Sequence, residues 1–263
     1  MSLDLAALRG PLVALARRAA AEIMRIHESS FGVRTQADRT PVTEADEASE
    51  RIVLAGLHEL TPDVPAVAEE AVARGEVAWP ATPPGAFWLV DPLDGTREFV
   101  ERNGQFAVNI GLILAGRPAL GVVLQPATGI AWSGGAGLGA FRAEADGAER
   151  AVRARPKPAD GIVVLSSKSH GSAAESAYCD GERVKEHRRM GSAAKFGLLA
   201  EGTGDLYPRF GPTSEWDTAA GEALLVAAGG HVARTDGALL VYGKPGFRNP
   251  DFIARGAWSA PHP

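Results

Sequence analysis

Residues Asp91-Pro92-Leu93-Asp94-Gly95-Thr96 follow an apolar run, Ala86-Phe87-Trp88-Leu89-Val90. Two carboxylates therefore stand three positions apart, where a buried strand is expected to stop and a helix to begin. Carboxylate oxygens are what hard cations such as Mg²⁺ require. A helix start with Gly95 and Thr96 offers backbone N–H groups to an anion. One short segment could thus hold both a metal and a phosphate.

Other acids sit at the ends of expected elements. Asp46 lies in the first turn of a helix, in Pro41-Val42-Thr43-Glu44-Ala45-Asp46. Glu69 ends a short strand, and Asp217 starts a late helix in Ser214-Glu215-Trp216-Asp217-Thr218-Ala219-Ala220. Taken singly, each has a bland explanation as a cap or a partner of the helix dipole. Together they argue otherwise. The 91–96 segment carries two acids where one cap suffices. Trp216-Asp217 sets a carboxylate beside a bulky apolar residue, where an unpaired charge is costly. A shared cation would resolve both costs.

The elements that must position these groups can be read from periodicity and punctuation. Residues 3–28 read as an amphipathic helix interrupted by Arg17, Arg18, Glu22 and Arg25. A short extended piece, 33–35, and a polar loop, 36–41, lead to a helix over 44–60, with Thr43 as its N-cap. A strand is expected over 64–68, then an irregular stretch over 71–84. Apolar runs at 87–90, 107–114, 119–125 and 130–133 read as strands. The glycines of 134–141 read as a hairpin turn, since no Lys-Ser/Thr follows to make a P-loop. A polar, Pro-bearing stretch over 143–158 marks a sub-domain boundary. Beyond it, strands are expected at 162–166, 206–210 and, as the last one, 231–233. Helices are expected at 173–178, 192–202 and 217–228.

Composition sets the limits. The chain has 263 residues, 45% hydrophobic and 22% charged, enough for a sizeable core. A formal net charge of −5 gives no basic footprint and argues against nucleic-acid polymers as partners. The single cysteine, Cys179, rules out an intrachain disulfide and reads as a structural thiol. The N-terminus lacks a signal-peptide pattern and the helix over 3–28 is too charged to span a bilayer. A cytoplasmic protein is expected, with peripheral association at the inner membrane through that helix left open.

The motifs carry a resemblance. Asp-Pro-Leu-Asp-Gly-Thr at 91–96, Trp-Asp-Thr-Ala-Ala at 216–220 and Glu-Glu at 69–70 resemble, in order, the inositol monophosphatase superfamily of Mg²⁺-dependent, Li⁺-sensitive phosphatases. Within it, Val90–Gly104, Ser167-Lys168-Ser169-His170, Gly191–Phe196 and Leu206–Thr213 resemble the bacterial CysQ-type 3′(2′),5′-bisphosphate nucleotidases. Inositol monophosphatases generally have Thr-Asn-Phe where this chain has Arg97-Glu98-Phe99, and they lack its Tyr-Pro-Arg-Phe-Gly-Pro run.

The resemblance implies a mixed α/β chain in the layered αβαβα sugar-phosphatase fold. An N-terminal α+β portion, 1–155, would supply most metal ligands. A C-terminal α/β portion, 156–263, would supply Asp217 and the specificity residues. It implies Glu69, Asp91, Asp94, Asp217 and the Leu93 carbonyl as ligands of two or three Mg²⁺ ions, and Asp46 with Thr96 as the pair that orients and deprotonates the attacking water. Substrate contacts would come from Glu69, Leu93, Asp94, Gly95, Thr96 and Asp217 at the phosphate. His170, Ser192, Lys195 and Arg209 would make them at the nucleotide. No covalent enzyme intermediate is implied. The implied reaction takes adenosine 3′,5′-bisphosphate, a by-product of sulfate assimilation, to AMP and phosphate. The alternative is an inositol- or sugar-phosphate monophosphatase on the same scaffold. Gln36, where relatives often have lysine, and Ala193, where a second serine is common, depart from the pattern. Monomer and homodimer are both compatible with it.

Overall fold

The computed structural model describes residues 3–30, 32–35, 41–167 and 173–258. The chain opens with α1 (Leu5–His27), the ribbon β1 (Val33–Thr35) and β2 (Pro41–Thr43), α2 (Glu44–Leu60), β3 (Ala66–Ala68) and α3 (Glu69–Ala73). Then come β4 (Ala86–Asp94), α4 (Thr96–Val100), β5 (Ala107–Leu114), β6 (Arg117–Gln125), β7 (Ile130–Gly135), β8 (Gly139–Ala143) and β9 (Glu149–Val152). The rest is β10 (Ile162–Ser167), α5 (Ala173–Cys179), β11 (Val184–Met190), α6 (Ala194–Ala200), β12 (Leu206–Arg209), α7 (Ala219–Ala227), β13 (His231–Arg234) and β14 (Phe252–Arg255). Short 3₁₀ turns occupy Glu215–Asp217 and Pro245–Phe247.

Strands β3 to β9 form a seven-stranded sheet in chain order, parallel only between β3 and β4. Strands β11-β10-β12-β14-β13 form a second, mixed sheet. The alternation of side chains along each strand separates the core into layers. On one face of the first sheet Trp88, Val90, Ile110, Leu112 and Val122 pack with the buried stripe of α1, Leu12, Leu15, Ala19 and Ile23. On the other face Leu89, Val123 and Trp132 join Phe196 of α6, Leu224 of α7 and Tyr207 and Phe252 of the second sheet. The far face of that sheet, Ile162, Val164 and Ile253, packs with Cys179 of α5. The order is helix, sheet, helix, sheet, helix, the expected αβαβα layering. The α1 stripe is committed to the core, and no described helix is long and apolar enough to cross a membrane.

Several boundaries differ from the sequence reading. Strand β4 does not stop at Val90 but runs through both carboxylates to Asp94, with its register shifting between them. Glu69 opens α3 instead of ending a strand, so the irregular stretch begins after Ala73. Asp217 closes a 3₁₀ turn, and α7 starts two residues later. Strand β11, Val-Lys-Glu-His-Arg-Arg-Met, shows no alternation of apolar residues. It is an exposed edge strand whose side chains mostly meet water. The last strand is β14, only four residues long, lying between β12 and β13.

Helix α7 lies on a track of glycines. Gly111, Gly121 and Gly134 stand side by side across β5, β6 and β7 in register. A Cβ at Gly121 would sit 2.2 Å from the Ala220 carbonyl oxygen, and one at Gly111 2.8 Å from the Ala220 nitrogen. Side chains there would lift α7, and with it the Glu215–Asp217 turn, off the first sheet. Gly121→Ala is expected to destabilise the fold by about 2 kcal/mol through overpacking. The urea unfolding midpoint of the variant checks this.

Candidate active site

The acids converge from three elements. Among the described residues, Glu69, Asp91 and Asp217 each present a carboxylate oxygen within 4.8 Å of the others. Asp94 lines the same cavity of about 480 Å³, with Glu70, Leu93, Gly95 and Thr96.

Local hydrogen bonds fix each acid. Strand β4 gains one residue against β5, since Asp91 pairs with Asn109 and Asp94 with Ala107. The Leu93 N–H donates to Asp91 Oδ1 at 3.1 Å, and Ser49 Oγ of α2 donates to the Pro92 carbonyl at 2.7 Å. This bulge turns the backbone so that both Asp91 and Asp94 reach the cavity. Gly95 follows at φ 93°, a left-handed conformation that favours glycine. Glu69 is held through its neighbours. Glu50 Oε2 of α2 accepts the N–H groups of Glu70 and Ala71 at 3.0 and 3.2 Å, capping α3. Asp217 Oδ2 accepts the Ser214 N–H at 2.8 Å. Glu215, fully buried, accepts the N–H groups of Gly243 and Lys244 at 2.6 and 3.0 Å and anchors this turn to the C-terminal loop.

The electrostatics are unfavourable without a cation. Burial, reinforced by the other acids, raises Glu69 and Asp91 well above the usual carboxylate range. Burial and Asp94 push Asp217 up to about 7. Asp94 is also raised, chiefly by burial, although Asn109 Nδ2 at 3.3 Å and the Ala193 N–H donate to it. Among the described residues, no side-chain cation reaches ion-pair distance of Glu69, Asp91 or Asp217. An all-oxygen donor set of this charge suits a hard divalent ion, which would neutralise the repulsion.

Beside this cluster, Thr96 Oγ1 donates to Asp46 Oδ1 at 3.0 Å. Asp46 Oδ2 accepts the Thr43 N–H at 2.8 Å and the Thr43 hydroxyl at 2.7 Å, completing a capping box at the start of α2. Burial lifts Asp46 to about 6, partly offset by these hydrogen bonds.

Lys195 and Arg209 line the cavity on the side of the second sheet, and both are buried. Lys195 Nζ donates to the Ser192 carbonyl at 2.6 Å and the Met190 carbonyl at 3.3 Å, so it braces the turn before α6 as well as facing the cavity. Burial lowers its ammonium to about 8, against the pull of Asp94. Ser192 stands in this turn at φ 57°. His170 lies outside the described residues, as does Gln36.

The model of the inositol monophosphatase family matches residues 4–259. The chain belongs to that family. It is 43% identical over 245 residues to the 3′(2′),5′-bisphosphate nucleotidase CysQ of Escherichia coli strain K12, covering 90% of this chain and 95% of that one. Among solved structures it is similar to CysQ from Bacteroides thetaiotaomicron, a bacterial member of the inositol monophosphatase family. The TM-score is 0.79 and the identity 31%, with 95% of this chain and 97% of the other covered. An inositol monophosphatase from Anabaena gives a TM-score of 0.76 at 26% identity, covering 97% of this chain and 93% of the other.

The site also draws on Glu50, Glu215, Ser49 and Gln105, to which the sequence motifs assign no role. Gln105 Oε1 accepts the Gly191 N–H at 3.0 Å and ties the loop after α4 to the turn before α6. Complete burial of charge at Glu50 and Glu215 marks them in the structure.

Because the folded values of these carboxyls lie above their unfolded ones, protonation favours the fold. The stability this provides is present at low pH and is lost as pH rises through about 7, the value for Asp217. The loss reaches at most about 1.4 kcal/mol per pH unit for each group. In EDTA the melting temperature is expected to fall between about pH 5 and pH 8. Asp217→Asn should shrink that fall, and Mg²⁺ should reduce it to the part owed to groups outside the cluster such as Glu222, which burial raises to about 7. A flat profile in EDTA would contradict the charge assignment.

Proposed function

We propose that this chain is a Mg²⁺-dependent 3′(2′),5′-bisphosphate nucleotidase that converts adenosine 3′,5′-bisphosphate to AMP and phosphate. In that role it would clear a by-product of sulfate assimilation. The observation that carries the reading is a single cavity with two unlike walls. One wall is an uncompensated carboxylate cluster, and the other presents Lys195 and Arg209. A monophosphate has use for the first wall only. A substrate with a second phosphate has use for both. The relatives named as bisphosphate nucleotidases support the same choice.

Glu69, Asp91, Asp94, Asp217 and the Leu93 carbonyl would hold two or three Mg²⁺ ions. Bound there, the cations supply Lewis-acid polarisation of the phosphoryl group and make a coordinated water more acidic. The chain's own groups do the rest. With its hydrogen committed to Asp46, the Thr96 oxygen keeps lone pairs to accept an O–H of the attacking water and so orient it. Asp46, raised to about 6, is a stronger base than an ordinary carboxylate and receives the proton through Thr96. The N–H groups of Gly95 and Thr96 would bind the scissile phosphate. Ser192, Lys195 and Arg209, with His170, would contact the nucleotide. Water attacks directly, so no covalent enzyme intermediate forms.

Phosphate release is the decisive measurement. With Mg²⁺, turnover of adenosine 3′,5′-bisphosphate should exceed that of inositol 1-phosphate and fructose 1,6-bisphosphate, and EDTA should stop it. Preference for inositol phosphate would point to the monophosphatase alternative. Asp46→Asn and Thr96→Ala should each lower kcat by about 10²–10⁴.

A further inference from the structure

Of the described buried side-chain atoms that lack a hydrogen-bond partner, two belong to residues lining this cavity: Arg209 Nε and Thr213 Oγ1. Arg209 is 6% exposed and Thr213 8%. Buried donors left unpaired are costly, so two in one wall point to a ligand that completes them. Arg209 spends Nη2 on the Pro212 carbonyl at 3.0 Å, which fixes the guanidinium plane and leaves its Nε edge unused. Another cation, Arg248, stands beside them. An isolated antiparallel bridge pairs Ser214 with Arg248, and the Asn249 N–H donates to the Thr213 carbonyl at 2.9 Å. These two contacts hold 213–214 and 248–249 side by side. Arg248 lines the cavity, and its Nη1 donates to Ser214 Oγ at 3.3 Å. Arginine has five N–H donors, so most of this fork remains available.

We propose that Thr213 and Arg248, together with Arg209, form the seat for the phosphate that is not cleaved. The proposal rests on the bisphosphate nucleotidase reading and identifies which residues give it its substrate preference. Two guanidinium groups offer only donors, the Thr213 hydroxyl can donate one more, and two fixed positive charges suit a dianion. Both arginines line the same cavity as Asp217, which places the seat next to the carboxylate cluster. One substrate can therefore touch both. Lys195 contributes less to this seat than its position suggests, because two carbonyls already hold its ammonium.

The test compares adenosine 3′,5′-bisphosphate with adenosine 3′-phosphate, which carries the scissile group alone. The readout is the ratio of the two kcat/KM values in the Mg²⁺-loaded full chain. Arg248→Ala and Thr213→Val should each lower that ratio by about tenfold or more, through KM for the bisphosphate. Arg248→Lys should recover part of it. A role in structure alone would lower both kcat/KM values together and leave the ratio unchanged, and that result overturns the proposal. Should Thr213→Val fail to fold, the exposed Arg248 still decides the matter. A wild-type ratio near one would instead overturn the nucleotidase reading itself. A high wild-type ratio that both variants keep would overturn only the seat.

Discussion

Mutual repulsion among buried and half-buried carboxylates is the constraint around which this molecule is arranged. Glu69, Asp91 and Asp217 bring oxygens within 4.8 Å of one another, and Asp94 adds to the same field. Left to themselves they would separate or stay protonated. They are kept together because none of them is free to move. Each is fixed to backbone that is itself fixed by something else: Asp91 by the Ser49-pinned bulge, Glu69 by the Glu50 cap, Asp217 by the Ser214 box. The fold thus stores an unfavourable charge arrangement that a divalent cation relieves. A group that binds the native state and not the unfolded chain then contributes stability as well as chemistry.

The three elements that supply these acids come from distant parts of the chain, so their spacing depends on how closely the layers approach. The glycine track lets α7 lie directly on the first sheet, backbone against backbone. This sets the height of the Glu215–Asp217 turn relative to the β4 bulge. Gln105 serves the same end from the side by fastening a loop of the first half to a turn of the second, while Glu215 ties its own turn to the 243–244 loop within the second half. Buried charge at Glu215 is costly, yet it accepts two N–H groups and pairs with Lys244 at 2.6 Å. Loss of one partner would strand the other.

Much of this was legible in the sequence, for physical reasons. Asp91, Asp94, Gly95 and Thr96 form one motif, and local backbone chemistry alone makes them conspicuous. Thr43 and Asp46 read correctly as a helix start because capping is local. The αβαβα layering followed from family resemblance, since the strand-rich first half and alternating second half are compatible with several packings. What escaped was non-local or weakly patterned. The bulge that carries β4 through its acids depends on Ser49, more than forty residues upstream. Strand β11 pairs through its backbone at a wet edge, so its side chains carry no signal. Strand β14 is buried along its whole length, so no alternation marks it. Glu50 acts on α3 across a tertiary contact that no spacing rule describes.

The two walls of the cavity divide the labour. Chemistry at the acidic wall depends on charge, oxygen donors and one oriented hydroxyl, and these tolerate little variation. Recognition at the opposite wall depends on which donors a few loops present. Those donors come from the ends of β12 and from the 212–214 and 248–249 segments, which are held to each other by an isolated bridge instead of a continuous ladder. Loops on a rigid scaffold are where such variation is cheapest. On the seat proposed above, a change at Arg209, Thr213 or Arg248 would alter substrate preference without disturbing the carboxylate cluster. The same separation accounts for why the 91–96 motif speaks to the reaction and is silent on the substrate: its carboxylates belong to the acidic wall.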